Sequence, residues 1–354
     1  MIVAGGGTGG HLFPGLAVAQ AFAQRPDARV LFVGSSSGIE ATAVPRTPFP
    51  FEPLAIHGVR GRGLGGALAF AWQLPVAVLR AWRIVGRFRP MLVLGLGGYG
   101  SVPVVLAAWM RRVPSVLLEQ NVHPGLANRW LAHLARRVCT TFPDSTRFFP
   151  PGKAVQTGNP ERELRAAVAP AENHFTVFVF GGSQGARTIN RAAIGAAGQL
   201  RQQLPGLRLI HQTGAADVEW VTEQYREAGV TAEVVPFIHN MGDAYGRADL
   251  VICRAGASTL AELTAMGKPA ILVPYPFAVD DHQRANAEVL VRNGAAQLIA
   301  DAELTGERLA RTVLDLAADR ARLAAMSEAA RRLAVPDAAA RVLDVCLHVV
   351  GEGG

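Results

Sequence analysis

MIVAGGGTGGHLFPGLAVAQAFAQR, residues 1–25, decides the fold class. An apolar run ends in a cluster of glycines, and a helix-length segment begins at once after it. Strand, tight turn and helix in that order are the opening unit of a parallel sheet covered by helices. The unit recurs: apolar runs close at RVLFVGS (29–35), MLVLGLGG (91–98) and PSVLLEQN (114–121). After FFPPGKAVQTGNP (148–160), rich in proline and glycine, the pattern restarts. FTVFVFGGSQGA (175–186), LRLIHQTG (207–214), AEVVPFI (232–238), ADLVICRAG (248–256) and PAILVPYP (269–276) read as a second set of strands. The expected architecture is α/β, with two Rossmann-like domains of parallel sheet, residues 1–156 and 157–335. A chain of 354 residues is long for one core and suits two. The tail from about 301 is helical in pattern, and VPD (335–337) introduces a last helix over 336–354.

Composition narrows the function classes. Half the residues are hydrophobic and 18% are charged, which argues against disorder. Cys139, Cys253 and Cys346 are odd in number and far apart, a pattern that fits a reducing compartment better than a disulfide framework or zinc site. No basic segment followed by an apolar one opens the sequence, so no signal peptide is expected. The most apolar window, LGGALAFAWQLPVAVL (64–79), is interrupted by Gln73 and Pro75 and falls short of the roughly 20 residues a spanning helix needs. A soluble or peripheral protein is expected. The net charge is +7, and lysine occurs only at 153 and 268, so nearly all the basic residues are arginine. Such an excess serves nucleic acid, anionic lipid or phosphate ligands, or reflects no more than a genome's taste for arginine.

Glycine turns carry the chemistry. GGGTGGH (5–11) lets backbone N–H groups approach an anion at a helix N-terminus, where the dipole favours negative charge. Gly5, Gly7 and Gly10 also satisfy the dinucleotide spacing, but that reading wants an acidic residue at the end of the second strand, and RVLFVGSSS ends in glycine and serines. GGYGS (97–101) and GGSQGA (181–186) repeat the device, which points to phosphate handling. A P-loop is excluded because Lys153 precedes Ala154 and Lys268 precedes Pro269. A fourth anion site is CRAGASTLAEL (253–263), where small and hydroxyl residues precede a helix beside Arg254. Thr259 and Glu262 there form either a capping box or, functionally, a hydroxyl and a ribose acceptor. In DDHQRANA (280–287), Asp280, His282, Gln283 and Asn286 suit the hydroxyls of a sugar or an ordinary solvated helix start.

Together these segments resemble the MurG family of UDP-N-acetylglucosamine:lipid I N-acetylglucosaminyltransferases of peptidoglycan synthesis. The matching stretches are GGTGGHLFPGLAVA (6–19), GLGGYGSVP (95–103), LLEQNVHPGLANRWLA (117–132), TGNPER (157–162), GGSQGAR (181–187), CRAGASTLAELTAMGKPAILVPYP (253–276) and DDHQRANA (280–287). The resemblance implies the GT-B fold, two Rossmann-like domains facing a cleft, with the last helix crossing back to the first domain. It implies an inverting hexosyltransferase that moves N-acetylglucosamine to the 4-hydroxyl of lipid I, forming lipid II for the cell wall in cell division and cell shape. No cofactor is implied, since UDP-N-acetylglucosamine is itself a substrate.

By the same resemblance the second domain would hold the donor. Ile238 would meet the uracil through its backbone and Glu262 the ribose. Ser183, Ser258, Thr259 and Arg162 would face the diphosphate, with Arg254 near. Gln283 and His282 would read the sugar, while Thr8, Gly9 and Asn121 would approach the donor from the first domain. The acceptor diphosphate would lie on Gly7, Gly10, Gly97 and Gly98. Between those turns, Arg60, Arg62, Arg80, Arg83, Arg87 and Arg89 interleave with Phe70, Trp72, Leu74, Leu79 and Trp82. That mixture suits peripheral contact with an anionic membrane, here its cytoplasmic face, or else core helices with solvated arginines. The implied partners are both substrates, the membrane surface and proteins of cell-wall synthesis, with no nucleic acid.

Inverting displacement needs a base near the acceptor hydroxyl and compensation for charge growing on the diphosphate. The chain contains no D-x-D, so no metal is expected; helix dipoles and arginine would take that role. His11, after an anion-binding turn, is the first base candidate. Glu119 is its rival, and Tyr99 would position the acceptor. Two other readings stand beside the transferase: a UDP-N-acetylglucosamine 2-epimerase on the same fold, and a non-enzymatic polyanion binder.

Overall fold

The computed structural model describes residues 1–56, 63–161, 164 and 174–352, the side chains of 63–71 excepted. The chain divides into two compact units, Met1–Arg162 with Val335–Gly354, and Glu163–Ala334. Among the described residues the first unit holds seven strands: β1 (Ile2–Ala4), β2 (Leu31–Ser35), β3 (Phe51–Leu54), β4 (Val93–Gly95), β5 (Ser115–Glu119), β6 (Arg137–Thr140) and β7 (Ala154–Gln156). They lie side by side as β3-β2-β1-β4-β5-β6-β7. The second unit holds β8 (Phe175–Phe180), β9 (Leu207–Gln212), β10 (Ala232–Val235), β11 (Leu250–Cys253), β12 (Ala270–Leu272) and β13 (Ala296–Leu298), ordered β10-β9-β8-β11-β12-β13. Every pairing is parallel. The expected doubly wound α/β architecture is present twice.

Both sheets reverse their winding at one place. Ile2 of β1 pairs with Leu31 on one side and Val93 on the other, and Val177 of β8 sits in register with Leu209 and Leu250. Chains leaving the carboxyl ends of two such neighbours diverge to opposite faces of the sheet, which opens a crevice between them. The glycine turns after β1, β4, β8 and β11 lie at these switch points.

Four strands were not legible from the sequence. β3 carries Pro53, which a central strand would not tolerate, and it lies at the sheet edge. β6 and β13 are short, and β7 falls inside the stretch read as a connection. Thr157 and Gly158 then donate to the carbonyl of Thr140, tying that stretch to the first unit.

Burial explains the helices. The helix Gly63–Phe88 runs on through Gln73 and Pro75, where the sequence reads an interruption. One proline removes one ladder bond, and Pro75 stands on the exposed face. Ala77, Ala81, Ile84 and Val85 of this helix are buried against the sheet at helical spacing. The last helix, Ala338–Gly351, lays Val342, Cys346 and Val349 into the same apolar cluster as Val3, Leu16 and Leu94. Among the described residues no helix is long and apolar enough to cross a membrane. All three cysteines are free and buried.

Candidate active site

In the first unit, two glycine turns are pressed together. Gly5, Gly6 and Gly7 have φ of 102°, 139° and 86°, and Gly97 and Gly98 have 93° and 70°. A Cβ on Gly5 would lie 2.5 Å from the carbonyl oxygen of Gly97, and one on Gly98 would lie 2.9 Å from that of Gly6. Only bare backbone allows this approach and these dihedrals together. The turn after β1 leads into the helix Gly9–Ala23, whose N-cap Thr8 makes no side-chain capping bond. The N–H groups of Gly9 and Gly10 are therefore open at the positive end of the helix. Gly7 is different from what its sequence position suggests. Its N–H donates to Glu40 Oε2 at 2.7 Å, so a buried carboxylate and not a ligand takes that amide.

The end of β5 carries three consecutive polar residues with separate tasks. Glu119 Oε1 accepts from the backbone and side chain of Asn121 at 3.0 and 3.4 Å. Oε2 accepts from the Gly125 N–H at 3.2 Å and from Asn128 Nδ2 at 3.0 Å. Burial raises the Glu119 pKa, against the lowering pull of those donors and of His11. With both oxygens occupied, Glu119 anchors the 121–128 connection and has little left for a substrate proton. Gln120, also buried, turns its side chain to His11, where Oε1 lies 2.7 Å from Nδ1. Asn121 sits at the rim of the same turn. Tyr99 follows Gly98 and is 37% exposed. Among the predicted residues of this unit, His11, Glu119, Asn121 and the glycines gather at the carboxyl ends of β1, β4 and β5.

In the second unit, the turn after β8 is held from behind. Gly182 and Gly185 have φ of 91° and 74°, and Gln212 Nε2 donates to the Gly182 carbonyl at 2.8 Å. Ser183 stands exposed at its tip. After β11, Gly256 is the N-cap of the helix Ala257–Ala265 and again no side chain caps it. The capping-box alternative therefore fails. Thr259 lies inside the first turn, and Glu262 accepts from the Tyr245 hydroxyl at 2.9 Å. Ser258 Oγ is buried and has no hydrogen-bond partner. An unmatched hydroxyl at a helix N-terminus with open N–H groups is suited to an anion.

Arg254 is held by partners within its own unit. Its Nη1 donates to Asp301 and to the carbonyls of Val273 and Pro274, and its Nη2 donates to Thr188 Oγ1 at 2.8 Å. The guanidinium therefore braces the ends of β11 and β12 from within, where the sequence suggested a charge presented to the donor. Gln283 Oε1 accepts from the N–H groups of Ala255 and Tyr275 at 3.2 and 2.9 Å, which leaves its NH₂ group to donate. His282 Nδ1–H donates to the Val279 carbonyl at 2.8 Å. Ile238 follows β10 and lines a cavity of about 410 Å³ with Phe237, Asn240 and Ala244. Arg162 lies outside the described residues, as do Arg60, Arg62 and the side chain of Phe70. Pattern alone gave no signal for Glu40, Asn128, Tyr245 or Asp301. Gln120 lay within a matching stretch without a task.

Along the helix Gly63–Phe88, Trp72 is 85% exposed, and Val76, Leu79 and Trp82 continue its stripe. Arg80, Arg83, Arg87 and Arg89 are exposed beside them. Arg111 stacks over the Trp82 ring at 3.7 Å.

Comparison with known proteins follows the same lines. The glycosyltransferase family 28 N-terminal domain matches residues 1–140 and the family 28 C-terminal domain residues 176–342. The chain is 47% identical over 355 residues to the UDP-N-acetylglucosamine--N-acetylmuramyl-(pentapeptide) pyrophosphoryl-undecaprenol N-acetylglucosamine transferase of Anaeromyxobacter dehalogenans, covering 99% of this chain and 93% of the relative. It is 48% identical to the protein of the same name from Geobacter sulfurreducens, covering 97% of each. The crystal structure of Acinetobacter baumannii MurG matches with a TM-score of 0.84 at 34% identity, covering 98% of both chains.

Proposed function

The chain belongs to glycosyltransferase family 28, among its MurG members, and on that footing we propose that it transfers N-acetylglucosamine from UDP-N-acetylglucosamine to the 4-hydroxyl of lipid I. The observation that carries this reading is identity of 44–48% over nearly the whole length to transferases of that name. The open helix N-termini at Gly9–Gly10 and Ala257–Thr259 support it, because each substrate brings a diphosphate.

The acceptor's diphosphate lies against Gly9, Gly10 and the turn at Gly97–Gly98, near His11 and Tyr99. The donor lies on the second unit, its diphosphate at Ser258 and Thr259 and beside Ser183. Glu262 takes the ribose, the Ile238 backbone the uracil, and Gln283 donates to the sugar. In the reaction the acceptor oxygen attacks the anomeric carbon while His11 takes the hydroxyl proton. The bond from that carbon to the diphosphate oxygen breaks, and its electron pair leaves with UDP. Charge growing on the leaving diphosphate meets the N-terminus of the helix Ala257–Ala265, which is already oriented before reaction. The donor's own phosphate ester supplies the driving force, so the step calls on no cofactor.

Trp72, Val76, Leu79 and Trp82, with their flanking arginines, form the surface that meets an anionic membrane peripherally on its cytoplasmic side, where lipid I is met. Proteins of cell-wall synthesis are further partners on this reading.

Labelled UDP-N-acetylglucosamine, incubated with and without a lipid I analogue, tests the function. Transfer of label only when the acceptor is present is expected. Isomerisation of the donor without acceptor would instead identify an epimerase, and absence of turnover in both arms would sink the proposal. For the membrane surface, Trp72→Glu with Leu79→Glu should abolish sedimentation with vesicles containing phosphatidylglycerol. Unchanged sedimentation would remove this helix from the contact.

A further inference from the structure

Gln120 is the first residue after β5 and is 1% exposed, between the carboxylate that anchors the following connection and Asn121. Its Nε2 donates to the Leu96 carbonyl at 3.4 Å. That bond turns the nitrogen of the amide toward β4 and the oxygen toward His11. An amide oxygen can only accept, so the ring nitrogen 2.7 Å from it, Nδ1, must be the one that bears hydrogen. A neutral imidazole protonated on Nδ1 has its lone pair on Nε2.

We infer that Gln120 is a positioning residue that holds His11 in the Nδ1–H tautomer and so makes Nε2 the atom that receives the acceptor's proton. The inference rests on the reading of His11 as base. In the step, the acceptor O–H bond breaks, its proton goes to Nε2, and its electron pair forms the new bond to the anomeric carbon. Nδ1 keeps its proton throughout, and the positive charge formed on the ring is shared with the Gln120 oxygen.

The identity of the orienting group matters because a carboxylate already acts on this histidine. Glu119 adjoins Gln120 and interacts electrostatically with His11, and Glu40 lies beneath Gly7 on the turn that precedes it. Tyr99 belongs to the turn after β4, and the helix that carries His11 has no acid in its first turn. A third carboxylate in place of Gln120 would favour the imidazolium and fill Nε2 with a proton before substrate arrives. A neutral acceptor fixes the tautomer without that penalty.

The test uses the full chain labelled with ¹⁵N-histidine. Long-range ¹H–¹⁵N correlation spectra near pH 8.5, above the usual imidazole range, report which ring nitrogen carries hydrogen. His11, assigned by its loss in His11→Ala, should be the Nδ1–H form in the wild-type protein. Gln120→Met removes the acceptor with little change of size. It should move His11 toward Nε2–H and lower kcat about tenfold, a fraction of the 10²–10⁴ that a whole general base contributes, with KM for the donor unchanged. Gln120→Glu can still accept from Nδ1–H and should restore the tautomer, with the acid limb of kcat moved to higher pH. An Nε2–H form in the wild-type protein overturns the inference even if no variant folds. So does Gln120→Met with tautomer and kcat unchanged. A His11→Ala enzyme of near-normal turnover would remove only the base reading, since the tautomer of the free protein is measured without substrate.

Discussion

Glu40 accepts the N–H of Gly7 at 2.7 Å through one carboxylate oxygen and the N–H of Ser35 at 2.9 Å through the other. The side chain is 1% exposed and lies against Gly6, Gly34 and Gly38, none of which could carry a Cβ there without displacing it. A carboxylate thus sits under a turn whose next amides, at Gly9 and Gly10, are the ones proposed above to meet a diphosphate. The two are compatible because the charge is already compensated by two N–H groups, and because it faces the inner side of the turn.

Replacing Glu40 by Gln separates charge from shape. An amide has one acceptor end, so its NH₂ must face either Gly7 N–H or Ser35 N–H, donor against donor. Loss of a buried bond to a charged group costs about 1.5–3 kcal/mol. Glu40→Gln should lower the urea midpoint accordingly and raise KM for the lipid acceptor more than for the nucleotide sugar. Equal effects on both substrates would show that Glu40 serves the fold without shaping the acceptor turn.

Gly185 faces a harder constraint. A Cβ there would overlap the Thr213 carbonyl, and φ is +74°, while Gly214 opposite it has φ of +83° and is crowded by the Gln184 carbonyl. The turn after β8 and the end of β9 therefore interlock through two glycines. Gly185→Ala should destabilise the protein by roughly 2–4 kcal/mol, the sum of a left-handed backbone and a clash with rigid backbone. It should also reduce the thermal stabilisation given by UDP. A variant with wild-type melting and wild-type UDP response would contradict the interlock.

The turns at 5–11, 97–101 and 181–186 were legible because glycine's backbone freedom is written in its identity. Their division between sheets followed from the apolar runs before them. The two edge strands of the first sheet were not legible: β3 and β7 are held by one neighbour each, and nothing in FEPL or AVQ marks a ladder. Among the site residues, side-chain type gave candidacy and the fold gave the task. Arg254 and Glu119 have the chemistry of a diphosphate clamp and a base, yet internal partners occupy both. Those partners are 47 and 66 residues away for Arg254 and up to nine for Glu119, and no local pattern encodes such distances. Glu262 is the converse case, since its spacing from Thr259 allowed either a cap or a ribose acceptor, and the helix start at Ala257 removes the cap.

Both lysines of this arginine-rich chain point their ammonium at backbone carbonyls gathered round one point, three for Lys153 and two for Lys268. Lys153 Nζ donates to the carbonyls of Ala132, His133 and Ala135 at 2.8, 2.8 and 2.9 Å, and Lys268 Nζ reaches those of Gly246 and Ala248. The three carbonyls bonded by Lys153 are left over past the end of the helix Leu126–Leu131. A planar guanidinium cannot direct its hydrogens at three oxygens gathered round one atom. Lys153→Arg should therefore cost about 1–2 kcal/mol of stability, whereas Arg226→Lys, at an exposed surface, should stay within about 0.5 kcal/mol. Equal midpoints for the two variants would dispose of the geometric argument.

His211 couples the stability of the second unit to acid. The ring is 0% exposed on β9, between the Tyr225 hydroxyl at Nδ1 and Asn190 Oδ1 at Nε2, 2.8 and 3.1 Å away. Asn190 Nδ2 donates to the Thr213 carbonyl and to Asp217, so its oxygen is the acceptor and Nε2 carries the hydrogen. Nδ1 then accepts from Tyr225, and the neutral ring is fully satisfied. Burial lowers its pKa from 6.5 to about 3. Above pH 6.5 the ring is neutral whether the chain is folded or not, and pH does not act through it. Below that, the unfolded chain binds a proton that the folded one refuses, so stability falls as pH drops from 6.5 toward 3. The slope approaches about 1.4 kcal/mol per pH unit once the unfolded histidine is mostly charged. His211→Gln removes the titration but also the fitted ring. The variant should be less stable than wild type at pH 8 and should close that gap as the solution is acidified to pH 5, read by urea unfolding at each pH. Parallel stability curves for the two proteins would mean that His211 is not the group through which acid acts.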